Sequence, residues 1–276
     1  MKLVRVLDVE STGLDPRLDR ICEVAVVDIR LQEAAEGQPA KVERGEMWSS
    51  LVDPERLIGP EAMGTHDITD EMVAGKPKIA ALLDRLTAGP PDAYCAHNAK
   101  FDSGFFRPAN IPWLCTYKLA LWCWPEAPSH RLAALRYWLK LKLAPPAGMV
   151  QRAHNALWDA YVCAAILRRV AMAGISFEDM LAVSSKPALL PHFHFGLHAK
   201  KPIADVPADY LSWVLKKGGG SEGFDEDVIF TAMTELQRRR DAGAAHLADV
   251  IATLLPEHEF GPVAGNDAEM ARHRRP

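Results

Sequence analysis

Asp8 and Glu10 stand two residues apart at the end of the apolar run LVRVLDV (3–9). Side chains alternate along a strand, so both carboxylates project from one face. Crowded acids repel each other, and a divalent cation with oxygen ligands is the economical offset. Taken alone, a pair of exposed acids at a strand end explains the spacing as well. Ser11, Thr12 and Gly13 then turn the chain, with Gly13 free to take a positive φ. Leu14, just past the turn, is expected to stand exposed and apolar beside the acids, with inward packing as the alternative.

Two further pieces carry titratable groups. In AHNAKFDSGFF (96–106), Asp102 lies between Phe101 and Phe105-Phe106, close to an apolar face, and Asn98 is the better placed of the two to cap a helix there. In HNALWDAYVCAAIL (154–167), His154 and Asp159 are five apart, about 140° around one helix, so they cannot share a helical face. They meet only if His154 sits ahead of the helix and Asp159 a turn inside it. The imidazole then swings over whatever the carboxylate faces.

The elements that must position these groups read as a mixed α/β sheet. Segments 3–9, 21–31 and 46–52 are strand-like with no helical pattern between them, which predicts an antiparallel meander. Helical spacing follows at 76–87, short strands at 92–98 and 113–116, and helices at 117–123, 130–142 and from Asn155 to about Ala173. Near residue 184 the composition changes. SSKPALLPHF is a joint, HFHFG (192–196) a short strand, Lys200 and Lys201 a turn, 207–217 a helix, GGGSEG (218–223) a flexible link and 226–240 another helix. The polar stretch from about Pro256 is expected to be disordered.

Composition limits the partners. Hydrophobic residues make up 49% and charged residues 25% of the 276 residues, enough for a real core. No apolar run approaches the roughly 20 residues needed to span a bilayer, and the first ten residues read as a strand, not a secretion signal. Five cysteines without a CxxC pair imply buried thiols in a reducing cytoplasm. The net charge of −4 argues against coating long nucleic acid but not against gripping a strand end. From His97 to Arg152, eight Lys/Arg face two acids, among four of the seven tryptophans. A single-strand groove has that make-up; a solvated helical face over a Trp-rich core fits equally well.

Taken in order, DVESTG (8–13), HNAKFDSGFF (97–106) and HNALWDA (154–160) resemble the three motifs of the DEDDh (DnaQ-like) 3′–5′ exonuclease superfamily. Ser11 stands where Thr is commoner, and Leu157 and Trp158 fall within the motif's tolerance. The resemblance implies a ribonuclease-H-like mixed sheet flanked by helices over residues 1–175. It implies metal binding by Asp8, Glu10, Asp102 and Asp159, and a general-base role for His154. The segment IGPEAMGTHDITDEMV (58–73) is similar to one that approaches the nucleotide in this superfamily, with His66 at the matching position. PALLPHFHFGLHAKKPIADVPADYLSWVL (187–215) resembles the small C-terminal domain of the exodeoxyribonuclease X branch, except that Lys200 replaces a usual Gly.

The expected organisation is therefore an exonuclease domain (1–175), a linker (176–190), a small α+β domain with a helix (191–240) and a partly disordered extension (241–276). The resemblance implies a two-metal-ion phosphodiester hydrolase that releases nucleoside 5′-monophosphates from single- or double-stranded DNA 3′ ends in repair or recombination, using Mg²⁺ with Mn²⁺ able to substitute. Ser11, Thr12, Gly13, Leu14, His66, Asn98 and Phe101 are the expected substrate contacts, with Lys200 and Lys201 on the DNA backbone. No membrane and no obligate protein partner is expected. An exoribonuclease, a polymerase proofreading subunit and a catalytically dead DNA-end-binding module are the alternatives.

Overall fold

The computed structural model describes residues 1–34, 40–108, 110–218 and 223–254. Five strands, β1 (Lys2–Ser11), β2 (Ile21–Gln32), β3 (Lys41–Leu51), β4 (Ala93–Ala96) and β5 (Trp113–Cys115), form one sheet in the order β3-β2-β1-β4-β5. The first three strands are antiparallel, as the unbroken meander predicts, and β4 and β5 join in parallel. The helices are α1 (Pro60–His66), α2 (Asp70–Val73), α3 (Ile79–Thr87), α4 (Ala99–Phe105), α5 (Thr116–Cys123), α6 (Leu132–Trp138), α7 (Ala156–Met172), α8 (Phe177–Ser184), α9 (Ala208–Lys217) and α10 (Glu226–Leu254).

Central strand β1 is apolar on both faces because both are covered. Val4 and Val6 pack into the core under α7, with Leu119, Leu135, Ile166 and Leu167. Leu7 and Val9 face the opposite core, with Trp48, Leu86, Tyr94 and Phe106. Strand alternation thus puts Asp8 and Glu10 on the α7 side. Arg5, a cation inside this apolar strand, is buried but satisfied: its guanidinium grips Asp28 at 2.8 and 2.9 Å and donates to the carbonyls of Leu86 and Ala88.

Several expectations need correction. Segment 176–190 is not merely a linker, since it contains α8, whose Phe177 and Met180 are buried in the α7-side core. Ser176 caps that helix by accepting from Asp179 N, so its start was written in the sequence. HFHFG forms no strand; its only ladder contact is an isolated bridge between His192 and Pro202. The described part of the C-terminal unit is therefore essentially helical: α9 and α10 surround Phe193, Ile203, Val206, Leu211 and Val214 and pack on Leu121 of α5. The last helix continues past residue 240 to Leu254, where an extension was expected; residues 255–276, and 219–222 of the expected glycine link, lie outside the described residues.

Arg239 fixes α10 to this unit by donating to the carbonyls of Ile203, Ala204 and Val206. Gly196 has φ +71°, and a Cβ there would meet the Tyr210 hydroxyl at 2.1 Å. Only glycine suits that corner.

Candidate active site

Three elements deliver the carboxylates. β1 outruns β4: the parallel ladder ends at Val6–Cys95, so the N–H of Val9 has no strand partner on that side. Asp102, in the first turn of α4 and buried, accepts that N–H through Oδ1 at 3.2 Å. Asp159 lies in the first turn of α7, and the α7 face of β1 presents Asp8 and Glu10 beneath it. His154 precedes the cap residue Asn155, as the five-residue offset requires. Its φ of +58° turns the chain so that its backbone N–H donates to Asp159 Oδ2 at 2.8 Å. A ring nitrogen of His154 and carboxylate oxygens of Glu10 and Asp159 lie within 4.8 Å of one another.

All five line one cleft of about 870 Å³. Ser11, Thr12, Gly13, Leu14, His66, Asn98 and Phe101 line it as well; Lys200 and Lys201 do not. A second cleft of about 910 Å³ shares His97, Asn98, His154 and Asp159 and opens toward Tyr117, Arg131 and the start of α10.

Burial is the first cause of upward pKa shifts at all four carboxyl groups. Asp8 is pushed well above the carboxylate range by burial, then by Asp102, Asp159 and Glu10. Glu10 is pushed to about 8 by burial, then by Asp159, Glu23 and Asp102, while Arg152 draws it back down. Burial lifts Asp102 to about 7 and raises Asp159. An all-oxygen donor set this crowded is short of positive charge, and a divalent cation fits it on those grounds.

The turn after β1 works differently from expectation. Gly13 does not take a positive φ. Glycine is needed because the Asp19 carboxylate occupies the space of a Cβ, with Oδ2 2.5 Å from it. Ser11 Oγ donates to Gly13 O, and Thr12 Oγ1 donates to Asp19, so both hydroxyl protons build the turn. Leu14 stands 85% exposed at the cleft edge. Asn98 occupies the N-cap position of α4 with φ +69° but makes no side-chain cap.

His66 is buried. Its Nδ1 accepts from Ile68 N, which leaves Nε2–H to face the Ser11 carbonyl at 3.3 Å. With both nitrogens engaged, it holds the β1 end to α1 at the cleft wall. The basic stretch 97–152 does not form one groove either. Lys100 pairs with Asp225, Lys118 with Glu226 and Asp227, Arg152 with Asp67, and Arg136 stacks on Trp158.

Two residues at the site escaped the sequence analysis. Glu23 lies opposite Glu10 in the β1–β2 ladder, is buried, and accepts from Ala156 N at the start of α7. It aligns the helix that carries Asp159; an acid inside ICEVAVV was the visible signal. His97 accepts from Thr116 Oγ1 at Nδ1 and donates from Nε2 to the His130 carbonyl, both at 2.9 Å. Burial lowers its pKa to about 4, so it is a neutral brace beneath Asn98.

The exonuclease family model matches residues 6–167, a span that contains every one of these carboxylates. The chain belongs to the exonuclease family. As a member it is a nuclease hydrolase, and exonucleases of this family normally use divalent metals. It is 32% identical over 216 residues to exodeoxyribonuclease 10 of Escherichia coli strain K12, covering 77% of this chain and 90% of that protein. It is 33% identical over 165 residues to a PolC-type DNA polymerase III of Oceanobacillus iheyensis, covering 56% of this chain and 10% of that one. A solved structure of exonuclease X in complex with 5′-overhanging duplex DNA superposes with a TM-score of 0.54 at 32% identity, over 66% of this chain and 99% of that one.

Proposed function

We propose that this exonuclease is a 3′–5′ exodeoxyribonuclease that releases nucleoside 5′-monophosphates, with Asp8, Glu10, Asp102 and Asp159 holding two divalent cations, Mg²⁺ in the cell and Mn²⁺ as a substitute. The observation that carries this is the convergence of four mutually repelling carboxyl groups and His154 on one cleft. DNA as substrate is supported by the relative and the solved structure named above. DNA repair or recombination is the setting in which we place the activity. Five free cysteines fit a reducing compartment, the cytoplasm, and no described helix is long and apolar enough to cross a membrane.

When bound, the cations supply the positive charge that polarises the scissile phosphate and acidifies water. The chain's own residues do the rest. His154, exposed at the cleft mouth, takes the proton of the attacking water and passes it to solvent. Asp159 holds the His154 backbone in place through the 2.8 Å hydrogen bond. Leu14 lies against the terminal base, with Phe101 and Asn98 on the neighbouring wall of the cleft. Residues 1–175 form the catalytic domain. The unit packed around Phe193 adds Lys200 and Lys201 as contacts to the DNA backbone outside the cleft.

Digestion of matched end-labelled DNA and RNA, single- and double-stranded, with and without Mg²⁺, tests the proposal. Metal-dependent loss of DNA from the 3′ end is the expected result. Preferential loss of RNA would reassign the substrate, and metal-independent binding without cleavage would make the chain an end-binding module.

A further inference from the structure

Behind α7, on the side away from Asp159, lies a groove of about 760 Å³ between β3, the α6–α7 connection and α7. Tyr161, Ala164, Ala165, Arg168 and Met172 line it at helical spacing, while Asp159 points to the other side. Five exposed cations rim it: Arg44 from β3, Lys140 and Lys142 from the connection, and Arg168 and Arg169 from α7. No carboxylate lines it, and none of the five has an acidic partner among the described residues. Lys100, Lys118 and Arg152, nearer the catalytic cleft, are by contrast ion-paired.

Helix dipoles explain part of this. Arg169 is in the last turn of α7, where a cation is favoured anyway, and Lys140 follows the end of α6. Arg44 and Lys142 have no such reason. Arg44 lies over the Tyr161 ring, 5.4 Å from its centroid, with its guanidinium 3.2 Å from the phenol oxygen, so its charge is held at the groove. The floor is aliphatic, Ile29, Val42 and Leu141, and Tyr161 is buried beneath Arg44. Bases would find no exposed ring to stack on. The groove therefore suits phosphates without regard to base identity.

We propose that this groove is a second nucleic-acid contact, which takes the phosphate backbone of an internal stretch of a long substrate while its 3′ end occupies the catalytic cleft. The proposal rests on the exodeoxyribonuclease function given above. The chain is net negative and its catalytic cleft is acidic, so a long polyanion needs a place of attraction elsewhere. The groove opens on the far side of the helix whose first turn carries Asp159. The α6–α7 connection runs from Lys140 at its rim to His154 at the cleft.

Two double variants test it, Lys140→Gln with Lys142→Gln and Arg168→Gln with Arg169→Gln; all four side chains are exposed, so the fold is not at stake. Steady-state hydrolysis is measured for a trinucleotide and for a single strand tens of nucleotides long, across a salt series. For the long strand, KM is expected to rise several-fold in each variant and its salt slope to flatten by about 0.7 for each phosphate no longer neutralised. The trinucleotide KM and both kcat values are expected to stay unchanged. An unchanged long-strand KM overturns the proposal and leaves an acidic partner segment as the occupant. An equal rise for both lengths also overturns it, since the cations would then serve the catalytic cleft. Failure of the unsubstituted protein to hydrolyse either DNA would instead overturn the proposed function, so the two failures are distinguishable.

Discussion

The backbone N–H of His154 donates to Asp159 Oδ2 at 2.8 Å, across a left-handed turn with φ +58°. The proposed base and one proposed metal ligand are therefore fixed to each other. A substitution at His154 must be chosen with the backbone in mind, because a left-handed φ is costly for most side chains and mild for Asn.

His154→Asn keeps the turn and removes the proton acceptor. Turnover is expected to fall by about 10²–10⁴-fold, with Mn²⁺ affinity measured by calorimetry nearly unchanged. If the loss of rate tracks a loss of metal affinity, His154 is a ligand, as its proximity to Glu10 and Asp159 also allows.

The carboxyl cluster makes stability depend on pH in a defined direction. Glu10 and Asp102 titrate at about 8 and about 7 in the folded chain, against about 4 when unfolded. Between those values the folded state binds more protons than the unfolded one. Stability without metal is therefore highest near the acidic end of that window and falls as pH rises through about 7 to 8. Thermal unfolding in EDTA is expected to show a lower Tm at pH 8 than at pH 6, with Mg²⁺ raising Tm more at pH 8. A metal effect equal at both pH values would contradict the crowding account. Asp102→Asn should unfold at the same or higher temperature in EDTA while abolishing hydrolysis.

Leu14 is 85% exposed at the edge of the cleft, where it can wedge against the terminal base of a duplex. Leu14→Ala is expected to slow digestion of duplex ends more than of single strands. Equal slowing of both would reduce Leu14 to a general contact.

Lys200 and Lys201 are exposed, and neither lines the catalytic cleft. The left-handed φ of +63° at Lys200 is what a Gly-like turn requires, and its N–H donates to the Phe193 carbonyl. Lys200→Ala with Lys201→Ala is expected to weaken DNA binding and flatten its salt slope by up to about 0.7 for each phosphate released, leaving turnover at saturating DNA unchanged. An unchanged slope would give the C-terminal unit a structural role.

The sequence was most informative where short-range periodicity sets geometry. Alternation along β1 places Asp8 beside Glu10, and helical rotation forces His154 ahead of α7. It was least informative where the cause lies across the chain. Gly13 is needed for the carboxylate of Asp19, a contact made by the loop folding back, and no local rule separates that from a positive φ. His66 matches a nucleotide-approaching segment, yet Ile68 and Ser11 engage its ring nitrogens. The start of α8 was legible, since Ser176 and Asp179 form an ordinary capping pair, but the prolines downstream suggested a joint. HFHFG reads as a strand by alternation; its aromatic rings instead stack on one another and on Phe224, and Gly196 turns the chain.

The central claim is that four carboxylates assemble a metal-dependent 3′–5′ exonuclease. It is tested most directly by incubating a 3′-end-labelled single strand of DNA with the purified protein and with Asp8→Asn, in Mg²⁺ and in EDTA, and identifying the labelled product. Labelled nucleoside 5′-monophosphate is expected from the unsubstituted protein in Mg²⁺, and none from EDTA or from Asp8→Asn. Release that persists in Asp8→Asn, or label that appears only in longer 3′-terminal fragments, would contradict the account.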